Sequence, residues 1–325
     1  MWILGASDPE MERIERLLRR AAQTVAYGLD ETGKRAYPSS AYRISSVSDP
    51  EALRLAVQRG IVVRLVECGI AKEPEDQALR SVVEKKVTTC VFDHHRPGDP
   101  GYGRPAHEFL AASSLGQVMA YLAEIGVHPD GTPCDEEDVR GVKTDDEYLF
   151  QGGRWFLWVS REGGEGHYVL VPEDHVYAAA ADHALSAAYR GECPGVDPDD
   201  LMRWRVSIRA AFLQVPEADI LAAVESAMSE LDMAPRILIG GVEVADLRGR
   251  SVPELPEASA RRGMPFVSSM WERDGRMKVN LMSAPPEAVR AFLAGEGLAA
   301  ELSDRYGDPA RGFAGGYLRA GEGRR

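Results

Sequence analysis

The chain has 325 residues, with 38 Lys and Arg against 51 Asp and Glu, giving a formal net charge of −13. At 44% hydrophobic and 27% charged residues it has the composition of a globular protein long enough for two domains. The acid excess argues against life on long duplex nucleic acid, where affinity comes from Lys and Arg neutralising phosphates, and leaves open a small anion held by local cations or metals.

In chain order, Trp2, Ile3 and Leu4 form a short apolar run that ends at Gly5-Ala6-Ser7. Ser7 with Glu10 reads as a capping box, Pro9 suits a first helical turn, and Met11, Ile14, Leu17 and Leu18 line one helix face. A second helix is predicted over residues 48–59, followed by a β-branched strand over 61–66 that ends at Glu67. Residues 87–92 read as a buried strand ending at Asp93-His94-His95, and 113–125 as a helix with Leu115, Val118, Met119 and Leu122 on one side. Three strands therefore stop at or just before acidic or imidazole residues. In open α/β sheets ligands sit beyond the carboxyl ends of the strands, so this is where chemistry is expected.

Residues 128–143 are acidic and bear Pro and Gly, the pattern of an exposed excursion. The runs 156–160 and 168–171 flank a Gly-rich turn and predict a hairpin. Helices are predicted from about 175 to 189, over 199–213 and over 216–231. Short strands return at 236–239, 266–271 and 277–282, the last two joined by a turn at Asp274-Gly275, and a helix begins near 284–287. The expected class is α/β: a parallel-sheet domain over 1–196, a helical connector over 197–234 and a smaller α/β domain over 235–325. No run approaches the ~20 apolar residues of a membrane span. The start lacks the basic n-region and apolar core of a signal peptide. Cys68, Cys90, Cys134 and Cys193 are widely spaced, with no CxxC pair, as in reduced cytoplasmic proteins. The expectation is a cytoplasmic protein with no membrane partner; a homodimer stays open.

Asp93-His94-His95 directly after a buried strand offers a carboxylate and two imidazoles. That donor set suits a divalent transition metal: manganese, iron or zinc. The tripeptide is followed by a Pro/Gly-rich loop and then by Ala112-Ser113-Ser114-Leu115. In this order and spacing the chain resembles the DHH phosphoesterase superfamily, and its last domain is similar to the DHH-associated domain of the RecJ and nanoRNase type. The resemblance implies a two-domain hydrolase of phosphodiester or phosphoanhydride bonds that uses two divalent metal ions, usually manganese. It also implies a first acidic motif at Asp8 and Glu10, where the family's usual His is absent, and a second at Glu67 in place of the usual Asp. The fourth acidic ligand would be Asp182, within the alanine-rich stretch around Asp182-His183, or Asp146. The family's glycine motif falls on residues 307–316, which lack its His; Arg311, Gly315 and Gly316 would then contact substrate.

By this resemblance Asp93 would supply a bridging or terminal carboxylate and His94 a metal ligand. His95 would be a second ligand or a donor to the scissile phosphate. Arg96 and Arg104 would hold non-bridging oxygens. Ser113 and Ser114, at a helix N-terminus, would offer hydroxyls and amides to an anion. The expected substrate is short: a short oligonucleotide, a cyclic dinucleotide or a 3′-phosphoadenosine-type nucleotide. The competing expectation is a non-catalytic nucleotide-binding member of the same superfamily.

Overall fold

A computed structural model describes residues 1–38, 40–131, 147–160, 166–272 and 275–318. The chain divides into two compact units, Met1–Tyr102 with Glu108–Asp182, and Gly103–His107 with His183–Arg325.

The first unit begins with strand β1 (Trp2–Leu4), helix α1 (Pro9–Arg20) and strand β2 (Val25–Leu29). A 3₁₀ turn (Ala41–Arg43) leads into β3 (Ser46–Val47), α2 (Pro50–Gln58), β4 (Val63–Val66), α3 (Gln77–Val83) and β5 (Thr89–Phe92). Among the described residues these strands form a sheet of order β3-β2-β1-β4-β5, parallel throughout except at β3. β1 is buried along its whole length, as a short apolar run covered on both faces must be. The helices are started by side chains: Asp49 caps α2 and Asp76 caps α3, each accepting backbone N–H bonds from the first turn. At α1 the cap is Asp8, which accepts from the Met11 amide at 2.7 Å. This corrects the capping box expected at Ser7: Glu10 turns away from the helix start to another partner. Because the chain runs outward from β1 in both directions, the switch point of the sheet lies between β1 and β4, where α/β sheets open a crevice.

Helices α4 (Phe109–Ala112) and α5 (Ser114–Glu124) follow, with Ser113 capping α5 through a bond from the Gly116 amide. An antiparallel meander of β6 (Tyr148–Gln151), β7 (Arg154–Ser160) and β8 (Gly166–Leu170) packs through β7 on α5. The Tyr148 hydroxyl donates to the Gly116 carbonyl at 2.7 Å. Helix α6 (Glu173–Tyr189) carries the chain out of this unit after Asp182, and its backbone leaves helical geometry at Ala184.

The second unit contains α7 (Pro198–Leu213), α8 (Glu217–Met233), β9 (Arg236–Ile239), β10 (Val242–Leu247), α9 (Leu255–Arg262), β11 (Phe266–Trp271), β12 (Met277–Met282), α10 (Pro286–Ala294), β13 (Leu302–Asp308) and β14 (Phe313–Leu318). Its sheet has the order β13-β14-β12-β11-β10-β9 and is antiparallel except between β10 and β11, which α9 connects. Alternation along the strands builds two cores. Ala245, Leu247 and Phe266 face α7, α8 and α9, while Val244, Val267, Val279 and Leu281 face α10. Helices α7 and α8 thus share a core with β10 and β11. Residues 197–234, expected as a helical connector, form α7 and α8 and lie within the second unit, which begins after Asp182. The expected turn residue Asp274 lies outside the described residues, as do Cys134 and most of the acidic excursion.

Candidate metal centre

The carboxyl ends of β1, β4 and β5 present Gly5, Glu67 and Asp93 side by side. Glu67 sits in the left-handed region (φ 47°), and its amide donates to the Phe92 carbonyl at 3.1 Å, so its loop is sewn to the start of the Asp93 turn. Gly5 lets β1 approach this loop: a Cβ there would lie 2.3 Å from the Glu67 carbonyl oxygen.

Four side chains from distant parts of the first unit converge here. One ligand atom each from Glu10, Glu67, His94 and Asp182 lies within 4.8 Å of the others, and Glu67, His94 and His95 form a second such group. His94 Nε2 is 2.8 Å from Asp182 Oδ2 and 3.7 Å from Glu67 Oε1. Glu10 is held by the N-terminus of α5, its Oε1 accepting the Leu115 amide at 2.9 Å. Its Oε2 and the Oε1 of Glu67 are buried with no hydrogen-bond partner among the described residues. The Ser114 hydroxyl is buried near Glu67 and favours its charged form, without completing a hydrogen bond of good geometry.

The electrostatics are those of crowded carboxylates. Burial first, then the charges of Asp182, Glu67 and Asp8, push Glu10 well above its usual range. Burial, then Asp182, Asp8 and Asp93, do the same to Glu67. Asp8, half-buried at the cap of α1, is raised to about 6 by burial and by Asp182. Among the described residues neither Glu10 nor Glu67 has a Lys or Arg partner. Buried like charges with open oxygens and an imidazole nitrogen fit a divalent cation, which would neutralise them and occupy the unpaired lone pairs.

Asp93 plays another part. Its Oδ1 accepts the amides of His94 (2.7 Å) and His95 (3.1 Å) and faces His95 Nδ1 at 2.8 Å, while Oδ2 accepts the Tyr42 hydroxyl at 2.8 Å. Burial alone would raise its pKa, but the hydrogen bonds from His95 and Tyr42 hold it below the usual carboxylate value. With both oxygens engaged, Asp93 belongs to neither converging group. In this arrangement it organises the turn that carries His94 and His95. Gln117 clips the same turn. Its side-chain amide donates to the carbonyls of Asp93 (3.0 Å) and Ala112 (2.7 Å), and its Oε1 accepts the Asp93 amide at 3.1 Å.

Other expected residues lie as follows. Arg96 is exposed, with its guanidinium 3.4 Å above the Tyr42 ring. Ser113 caps α5, its hydroxyl accepting the Gly116 amide at 3.0 Å. Arg104 and Arg311 belong to the second unit, where Arg311 Nε donates to the His183 carbonyl at 2.9 Å and the Arg104 carbonyl faces His183 Nε2 at 3.2 Å. Gly315 and Gly316 lie inside β14, paired with Asn280 and Val279. A Cβ at Gly315 would meet the Tyr306 phenol at 2.4 Å, so this glycine serves strand packing. Asp146 lies outside the described residues. Tyr42 and Gln117 were not singled out in the sequence. Gln117 carried a signal, since it lies one helical turn beyond Ser113; Tyr42, in an irregular segment, carried none.

No protein-family profile matches this chain, and no curated protein matches it.

Proposed function

We propose that this chain is a metal-dependent phosphoesterase of the DHH type, hydrolysing a phosphodiester or phosphomonoester bond of a short nucleotide. The observation that carries this reading is the convergence of Glu10, Glu67, His94 and Asp182, with His95 beside them, at the carboxyl edge of a parallel sheet. The strand-terminal Asp-His-His and the Ser-Ser helix start accompany that convergence in sequence.

Glu10, Glu67, Asp182 and His94 are the residues that would hold divalent ions, with His95 next to them. Two ions are proposed because the two converging groups share Glu67 and His94, and manganese because carboxylates mixed with imidazole favour it. Such ions supply Lewis acidity, activating a water nucleophile and neutralising phosphoryl oxygens. The protein's own groups do the rest. The α5 N-terminus fixes Glu10 and leaves its second oxygen for ligation. Asp93 takes His95 Nδ1, so that Nε2 of this partly exposed ring is left to ligate an ion or, when the ring is protonated, to donate to a phosphoryl oxygen. Arg96, over Tyr42, supplies an exposed guanidinium suited to bidentate contact with phosphate.

A nucleotide-binding member without turnover is the second reading, favoured by the absence of the family's His from both the first motif and the glycine motif. One experiment separates the two. The protein is titrated with manganese calorimetrically, then assayed with manganese on pApA, cyclic dinucleotides, 3′-phosphoadenosine nucleotides and short RNA, beside His94→Ala and Glu67→Gln. Two bound equivalents with turnover lost in both variants supports the hydrolase. Manganese or nucleotide binding without turnover supports the second reading, and no manganese binding removes the first.

A further inference from the structure

Tyr42 is the residue that joins the two halves of the centre. Its 3₁₀ turn is stitched to the loop after Glu67: the Gly69 amide donates to the Ala41 carbonyl at 3.0 Å, and the Ile44 amide to the Gly69 carbonyl at 2.9 Å. Gly69 lies close enough that a Cβ would stand 3.3 Å from the Tyr42 carbonyl oxygen. From this anchored backbone the phenol reaches across to the end of β5 and donates to Asp93 Oδ2 at 2.8 Å. The face of the same ring carries the Arg96 guanidinium at 3.4 Å.

The hydrogen-bond arithmetic at Asp93 leaves His95 one arrangement. Asp93 Oδ1 already accepts two backbone amides, which can only donate, so the carboxylate is an acceptor there. His95 Nδ1, 2.8 Å from that oxygen, must then carry the hydrogen, and in the neutral ring Nε2 keeps the lone pair. Oδ2 is the only other oxygen, and Tyr42 holds it. Without the phenol Oδ1 keeps its two amides, but the carboxylate plane is held from one oxygen only, and the Oδ1 lone pair facing Nδ1 is no longer fixed in line with it.

We propose that Tyr42 is a positioning residue of the centre: through Asp93 it sets the tautomer and orientation of His95, and through its ring face the position of Arg96. Its catalytic consequence rests on the reading that His95 and Arg96 face the phosphoryl group. The wiring itself can be tested without that reading.

The test uses the full chain, labelled with ¹⁵N at histidine, metal-free and saturated with magnesium, which is diamagnetic. Long-range ¹H–¹⁵N imidazole spectra are recorded above about pH 8, where histidine is ordinarily neutral. The wild type is expected to show His95 as a single Nδ1–H tautomer. Tyr42→Phe, which keeps the ring under Arg96, is expected to shift His95 to an average of both tautomers. Arg96→Ala should leave the Nδ1–H pattern in place. A wild-type His95 in the Nε2–H form, or an unchanged pattern in Tyr42→Phe, overturns the proposal. Manganese binding, measured on separate aliquots of the same proteins, reports on the metal centre alone. Its failure would sink the functional reading and leave the tautomer result standing.

Discussion

His94 and Asp182 meet with Nε2 and Oδ2 2.8 Å apart, one at the end of β5 and the other the last residue of the first unit. The pair has an electrostatic context that separates a ligand set from a structural ion pair. Asp182 is the leading charge that raises Glu10 and Glu67, so the metal-free centre is a site of repulsion. Asp182→Asn is therefore expected to weaken manganese binding by at least about 100-fold, beyond the 10–100-fold typical of outer partners. The same change is expected to raise the thermal midpoint of the metal-free protein. Calorimetric titration and a melting curve in chelator check both. A variant that loses stability without metal would show that Asp182 belongs to an ordinary stabilising pair.

The pH dependence follows from the same crowding. The folded-state value of Asp8 stands at about 6 against an ordinary 3.8, raised by burial and Asp182, and Glu10 and Glu67 are raised further by burial and their neighbours. In the folded chain these groups bind protons that the unfolded chain has released, so stability falls as pH rises through the interval between the two values. For Asp8 that interval runs from about 4 to about 6 and is worth at most about 3 kcal/mol. The metal-free midpoint is expected to fall across it and to stay low above. Manganese, which binds the deprotonated ligands, should restore stability most at the alkaline end. A metal-free melting temperature that rises with pH over this interval, measured in chelator, would contradict the assignment.

Much of the centre could be read from residue order, and the reason is physical. Strand-terminal positions in a parallel sheet share one edge, so Glu67 and Asp93-His94-His95 had to lie together once residues 61–66 and 87–92 were strands. Asp182, which the resemblance offers beside Asp146, is drawn in by α6, where an Asp-His pair among alanines is costly to bury without partners. What residue order did not carry is the division of labour among oxygens. Residue order shows Asp93 as a carboxylate at a strand end, but not that its oxygens accept from His94, His95 and Tyr42, the last from an irregular segment. Nor did residue order show that Gly315 lies in a strand against the Tyr306 phenol, because close packing and close approach of a ligand select the same residue. The connector helices read correctly as helices, while their attachment to the second unit depends on long-range packing that no local pattern encodes.

In the second unit Arg205 forms a two-pronged pair with Glu257, Nε to Oε1 at 2.9 Å and Nη2 to Oε2 at 2.8 Å, and the Tyr189 hydroxyl donates to Oε1 at 2.7 Å. Glu257 is 2% exposed, and although burial would raise it, Arg205 holds its carboxyl below the usual range. Glu257→Ala strands a largely buried guanidinium and is expected to destabilise the protein by about 3–5 kcal/mol. Manganese binding per folded molecule should be unaffected, since the pair lies in the unit without the candidate ligands. Chemical denaturation together with a manganese titration below the transition tests the two halves of the prediction.

Gly5 offers the complementary case, where a small change at the sheet edge reaches the centre through the backbone. An added Cβ would stand 2.3 Å from the Glu67 carbonyl oxygen and 3.0 Å from its carbon, and neither atom belongs to a side chain that can rotate away. The Glu67 loop must shift instead, although its amide is bonded to Phe92 and its φ is already positive. Gly5→Ala is expected to lower stability by about 1–3 kcal/mol, the usual range for forced overpacking. The displaced Glu67 should also weaken manganese binding, which distinguishes this site from a remote packing defect. Glu67→Gln in the same background gives the control. If Gly5 acts through Glu67, the double variant binds manganese no more weakly than Glu67→Gln alone, and additive losses would place the effect of Gly5 elsewhere.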